Sequence, residues 1–280
     1  MHNYQELLLD VLALGNIKEG RNGYTKSLFG VMFRHNMMDG FPLLTTKYVS
    51  FKSVVGELKW MLSGSTDVTE LRETYGVTFW DEWGPDIGPG YGHQIRHFGG
   101  NHNDTPESLW WGHSNSEPDG YPFEGKDQLA QLIDGLIKSP HSRRHIVSHW
   151  DPNSVENTKL PPCHVLWQVN IDGNYVDLMM FQRSADLFLG VPYNIGFYGL
   201  LLELISCEVN RQARNLVISF GDLHLYENAF SVAEQQAQRR PNRLPRLDVR
   251  YDEGDLLTGA WQANIVDYRH QGKLMCDVVI

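Results

Sequence analysis

Phe181-Gln182-Arg183-Ser184-Ala185-Asp186-Leu187-Phe188-Leu189-Gly190-Val191-Pro192-Tyr193-Asn194-Ile195 carries the chain from the end of one expected element into the start of the next. Before it, residues 175–182 have the β-rich composition of a strand. After it, 192–208 is an apolar helix opened by Pro192, whose missing N–H would be unpaired at a helix start anyway. Between them lies Gln182-Arg183-Ser184-Ala185-Asp186, a polar run that is costly to bury unless its groups find partners. Upstream, 164–171 is a second strand, and Asp172-Gly173 is the turn of a hairpin joining the two. Just before that strand stands Leu160-Pro161-Pro162-Cys163-His164, which puts a cysteine at a stiffened strand entrance next to the polar run. Two readings of Arg183 follow. It stabilises the reactive thiolate of Cys163, or it pairs with Asp186.

Outward from this core, helical spacing of apolar residues predicts helices over 4–14, 50–63, 127–138 and 226–238. Strands are expected at 28–34, 145–150 and 215–220. Residues 99–125 are rich in Gly, Asn, Ser, Asp and Pro and read as a surface excursion, with Trp110 and Trp111 pinning it to the body. No internal repeat or linker is apparent, so the expected class is α+β, one domain over 1–280.

The bulk numbers narrow the function. The 280 residues are 41% hydrophobic, enough for a large core. A net charge of −10 argues against a nucleic-acid polymer as partner, because phosphate contacts need clustered Lys and Arg. Three cysteines, 163, 207 and 276, are too few and too odd for a disulfide scaffold and fit a reducing compartment. No apolar run approaches the roughly 18 residues of a membrane span. A soluble cytoplasmic protein is expected, without membrane contact.

Taken together, PPCH (161–164), FQRSADLFLGVPYNI (181–195), GDLHLY (221–226), FWDEW (79–83), DGFPLLTTK (39–47) and SRR (142–144) resemble the thymidylate synthase superfamily, in its order and over nearly the whole chain. The resemblance implies one domain with a large mixed sheet flanked by helices, one sheet face forming a homodimer interface. It implies transfer of a one-carbon unit from 5,10-methylenetetrahydrofolate, as co-substrate and without a metal, to C5 of dUMP. In that chemistry Cys163 adds to C6 of the ring and makes C5 nucleophilic. Arg21, Arg183 and Ser184 match phosphate ligands, and Gln182 belongs to the same run. Arg143 and Arg144 match a pair that reaches across from the other subunit. Planar guanidinium forks suit a phosphate monoester, which explains how an acidic protein binds an anion. His224 and Tyr226 match holders of the sugar 3′-hydroxyl. Asn194 matches the reader of the base edge, and an amide there suits uracil where Asp marks the cytosine-specific relatives. Glu57 matches the carboxylate that orders water and moves protons, with Tyr91 and His164 in its network. Asp186 matches a pterin ligand that also borders the nucleotide. Trp80, Leu160, Leu189, Gly190 and Tyr193 match the folate wall, Lys47 is a candidate for its glutamate tail, and Val279 lies in a C-terminal tail that closes over it.

Some positions depart from the synthase pattern. Ile95 stands where synthases have Trp, and Phe197 where they have Ser. Both resemble the phage deoxycytidylate hydroxymethylases. Met179 and Phe181 replace more polar groups, and Asp277 stands where Pro is common. With Asn194, these positions suggest a dUMP hydroxymethyltransferase, in which water attacks the C5 methylene. The alternative is a divergent thymidylate synthase that completes a methyl group by hydride transfer. An idle nucleotide-binding relative is a third reading, countered by the intact Cys163, Glu57, Asn194 and arginines.

Overall fold

The computed structural model describes residues 2–20, 23–102 and 125–279. The expected excursion with Trp110 and Trp111 falls almost wholly outside these residues, as does Arg21.

Strands β1 (Asn16–Gly20), β2 (Gly23–Asn36), β3 (Ile146–Ser148), β4 (His164–Asp172), β5 (Tyr175–Asp186) and β6 (Gln212–Tyr226) form one sheet in the order β1-β2-β6-β5-β4-β3. Every neighbouring pair is antiparallel except β5 and β6, so the sheet is mixed. Parallel neighbours need a crossover, and helix α6 (Val191–Glu208) supplies it. The hairpin between β4 and β5 closes on the pair Asp172 and Tyr175. Gly173 takes φ 57° in that turn, a conformation that costs a residue with a Cβ.

The other helices are α1 (His2–Leu14), α2 (Phe51–Ser63), α3 (Val68–Tyr75), α4 (Tyr91–His97), α5 (Gln128–Lys138), α7 (Phe230–Ala237) and α8 (Asp255–Thr258), with a separate ribbon β7 (Arg246–Arg250) and β8 (Gln262–Val266). Ser50 starts α2 and Asp127 starts α5, each accepting a backbone N–H that the first turn would leave unpaired. The expected helix over 226–238 is shorter. Tyr226 still belongs to β6, a 3₁₀ turn occupies Glu227–Ala229, and the α-helix begins at Phe230. The strand expected at 215–220 is longer at both ends, because Gln212 and Ala213 pair with β5 before it and Asp222, Leu223 and His224 pair with β5 after it.

Helix α6 is apolar nearly all round, as a helix buried on every side must be, and it packs on β5, β6 and α2. The alternation of β5 turns Val176, Leu178, Met180 and Gln182 into this core. Met179 and Phe181 face away, and two cross-strand rows result. One runs Ile146, Gln168, Met179, Val217, Arg34, and the other Ser148, Leu166, Phe181, Ser219, Met32. Met32, Ile146 and Met179 stay 41%, 45% and 42% exposed there. Among the described residues no helix is long and apolar enough to cross a membrane.

Candidate active site

The N-terminal end of β4 and the C-terminal ends of β5 and β6 lie at the same edge of the sheet, and helices α2, α4 and α6 close over that edge. Cys163 sits at the entrance of β4. Its carbonyl accepts the Arg183 N–H at 2.9 Å, and its own N–H donates to the Tyr91 hydroxyl oxygen at 2.8 Å. Arg183 therefore lies beside Cys163 through backbone pairing. Gly221 on β6 makes room for that backbone: a Cβ there would stand 2.7 Å from the Arg183 carbonyl oxygen.

The Arg183 guanidinium donates through Nε to Pro162 O at 2.9 Å and through Nη2 to Pro161 O at 2.6 Å, and stacks 5.6 Å from the Trp150 ring centre. It clamps the stiff segment that carries the cysteine and leaves further N–H groups to meet an anion. The Asp186 alternative fails. That carboxylate is committed to the N–H groups of Phe188 and Leu189, at 2.8 and 3.0 Å, where the chain turns from β5 towards α6. The effect of Arg183 on the sulfur is in the expected direction but is outweighed. Burial pushes the Cys163 thiol up, and Arg183 and Tyr91 pull it only part of the way back.

Glu57 is buried in the middle of α2, and its Oε1 accepts the Trp80 indole N–H at 2.8 Å. Loss of water raises this carboxyl to about 7, with the indole opposing the rise. Trp80 and His164 each meet the Tyr91 ring edge-on, at 5.4 and 5.7 Å between centres. His164 is buried too, and desolvation holds its imidazole down at about 3, so it stays neutral at physiological pH. Asn194, on the first turn of α6, accepts from Gln182 Nε2 at 3.1 Å through Oδ1 and lies beside His164. At the end of β6, His224 Nδ1 meets Asp222 at 3.1 Å, its ring packs 5.2 Å from that of Tyr226, and it is the register partner of Asp186.

Cys163, His164, Gln182, Arg183, Asn194, Glu57, Tyr91 and Trp80 are thus linked by direct contacts, and Ser184, Asp186, His224 and Tyr226 share the same sheet edge. Leu160, Leu189 and Tyr193 are half-buried against the core. Phe79 joins them 5.7 Å from the Tyr193 ring while staying 43% exposed, a contribution that strand and helix periodicity does not signal. An apolar wall of this kind beside the buried Asp186 carboxylate fits a flat heterocycle with polar edges. Lys47 is 4% exposed, and its ammonium bonds the Phe188 carbonyl. Burial lowers it to about 8, with Asp186 and Cys276 favouring the charge. Val279 lies half-buried in the tail, which Asn228 tethers by donating to the Asp277 carbonyl at 2.9 Å.

Arg143 and Arg144 stand apart from this cluster. Both are exposed in the segment before β3, and the Arg143 carbonyl accepts from Gln168 Nε2 at 3.1 Å. Gln168 is five residues along β4 from Cys163, roughly 17 Å at strand rise.

The family model for thymidylate synthase matches residues 2–280. The chain belongs to the thymidylate synthase family. Membership brings folate-dependent one-carbon transfer to C5 of dUMP, with methylenetetrahydrofolate as co-substrate. Among the described residues no group of three or more His, Cys, Asp or Glu is arranged to hold a metal ion.

Two of the departures from the synthase pattern, Met179 and Phe181, lie in the cross-strand rows of the sheet's outer face, Met179 exposed and Phe181 half-buried. Of the other three, Asp277 lies in the C-terminal tail and two adjoin the site. Phe197 is buried one turn beyond Asn194 and packs 6.2 Å from the His164 ring, and Ile95 is buried one turn beyond Tyr91.

Proposed function

We propose that the protein is a dUMP C5-hydroxymethyltransferase, working through a covalent bond between Cys163 and C6 of the base. The observation that carries the covalent step is the set of contacts around Cys163, with Tyr91 on its N–H, Arg183 on its carbonyl, the adjoining His164 beside Asn194, and Glu57 joined through Trp80 and Tyr91. Phosphate would be held by Arg183 with Ser184 and Arg21, and the sugar by His224 and Tyr226. The Asn194 amide would read the uracil edge, held in place by Gln182. As Cys163 Sγ bonds C6, its proton leaves and Arg183 and Tyr91 stabilise the developing charge. The ring electrons move towards O4, and C5 attacks the folate-borne carbon. The C5 proton then departs through water held by Glu57, whose raised pKa suits both accepting and releasing a proton near neutrality. The bond from the transferred carbon to the folate nitrogen breaks, that nitrogen takes up the proton, and tetrahydrofolate departs, leaving an exocyclic methylene on C5. Trp80, Leu160, Leu189, Gly190 and Tyr193 would wall the pterin, with Asp186 on its polar edge, Lys47 behind it and Val279 in the closing tail.

In the last stage water adds its oxygen to the exocyclic methylene and gives a proton to Glu57. The electrons flow back through the ring and expel Cys163 as the thiolate. Phe197 beside His164, and Ile95 beside Tyr91, favour this outcome over hydride transfer, since they reshape the wall one turn from the groups that border the new carbon.

The exposed Met32, Ile146 and Met179 on the outer sheet face support a homodimer, one catalytic domain per subunit. Arg143 and Arg144, remote from their own Cys163, would serve the partner's phosphate site. Mass analysis of the nucleotide formed from dUMP and methylenetetrahydrofolate tests the product. Gain of CH2O supports hydroxymethylation. Gain of CH2, with the ultraviolet rise of dihydrofolate, would identify a thymidylate synthase instead.

A further inference from the structure

Three buried polar atoms around the site have no hydrogen-bond partner among the described residues: Tyr198 Oη, His164 Nδ1 and Gln182 Oε1. Native interiors rarely leave such atoms unpaired, since each costs about 1–3 kcal/mol. These three are neighbours. His164 and Gln182 are register partners across β4 and β5, and the Tyr198 and His164 ring centres are 5.3 Å apart. Tyr198 has no exposed surface, so its phenol cannot turn to bulk solvent. It sits on α6 four residues after Asn194, on the same helix face. Together the hydroxyl, ring nitrogen and amide oxygen supply the two to four polar partners that a buried water needs.

We propose that Tyr198 is a positioning residue, whose hydroxyl and His164 Nδ1 hold a buried water that hydrogen-bonds Glu57 and links it to solvent for proton transfer. The inference rests on the one-carbon chemistry described above but not on which product forms, because both products require the C5 proton to leave. The groups facing Glu57 are the Trp80 indole, Tyr91 from α4, and Tyr193 and Tyr198 from α6; none is charged. Among the described residues the carboxylate thus has no cation beside it, and a water donating to it is worth more there than at an exposed site. Through that water the phenol favours ionised Glu57.

The Tyr198→Phe variant removes one oxygen and keeps the ring. Two readouts test it. In a high-resolution crystal structure of the wild type, a water should stand within hydrogen-bond reach of Tyr198 Oη and His164 Nδ1, and in Tyr198→Phe it should be lost or displaced. In the pH profile of tritium release from 5-tritiated dUMP, the acid limb of the variant should move to higher pH by about half a unit to one unit. Its kcat should fall on the order of tenfold while KM for dUMP stays unchanged. A purely structural role would alter KM and melting temperature and leave the limb where it was. A site without that water, or a limb coincident with wild type, overturns the proposal. Wild-type protein that releases no tritium would instead sink the reading of the reaction itself, and the crystallographic water would still decide the role of Tyr198.

Discussion

Glu57→Gln should make the fold more stable as it makes the enzyme worse, and the gain should appear only on the alkaline side. Folding raises the Glu57 carboxyl from the ordinary 4.5 to about 7, chiefly by burial. Between those values the native state holds a proton that the unfolded chain has lost. Wild-type stability is therefore fully present below 4.5 and falls as pH rises towards 7. At about 1.4 kcal/mol per pH unit, the loss amounts to about 3 kcal/mol once the group is fully ionised. Glutamine stays neutral throughout, and its Oε1 can still accept the Trp80 indole N–H that Glu57 accepts at 2.8 Å. Urea unfolding of both proteins, at equal concentration and at about pH 4.5 and about pH 8, checks the sign and size. The variant's advantage should grow by about 3 kcal/mol across that range, while kcat drops by roughly two to four orders of magnitude for want of a proton acceptor. Parallel stability curves for the two proteins would refute the reasoning, because they would mean that Glu57 is solvated and ionised in the native state.

The base-reading role of Asn194 predicts that Asn194→Asp shifts preference from dUMP towards dCMP by at least tenfold in kcat/KM, since the carboxyl accepts where the amide donates; unchanged selectivity in steady-state assays would remove that role. If Arg143 acts across a dimer, Arg143→Ala and Cys163→Ala homodimers should both be nearly inactive. Mixed and allowed to exchange subunits, they should regain up to about a quarter of wild-type activity, because random pairing makes half the dimers mixed and each of those has one intact site; no recovery in verified heterodimers would place the arginine within its own subunit.

How far the sequence could be read differs from one element to another. The β4–β5 hairpin and helix α6 were legible because a turn dipeptide, strand alternation and a helix-opening proline agree on them. The ends of β6 were not, since Gln212, Arg214 and Asp222 are polar; pairing with β5 holds Gln212 and Asp222 in the strand, and the Arg214 side chain bonds Asp177. Helix α4 escaped because YGHQIRH is short and opens at Tyr91 with φ 30°. The family resemblance named Cys163, Glu57 and Asn194, but residue types alone do not say that burial would outweigh Arg183 at the thiol, or that Lys47 would be turned inward onto Phe188. Tyr198 was illegible for a different reason. An aromatic in an apolar helix reads as packing, and only the lack of a partner for its hydroxyl among the described residues marks it out.

All of the proposed chemistry depends on a bond from one sulfur among three free cysteines. Incubation with 5-fluoro-dUMP and methylenetetrahydrofolate should stall after that bond forms, because the C5 fluorine cannot leave as the proton does. Peptide mass mapping should then find nucleotide and folate on Cys163. An unmodified Cys163 peptide, or the adduct on Cys207 or Cys276, would contradict the mechanism.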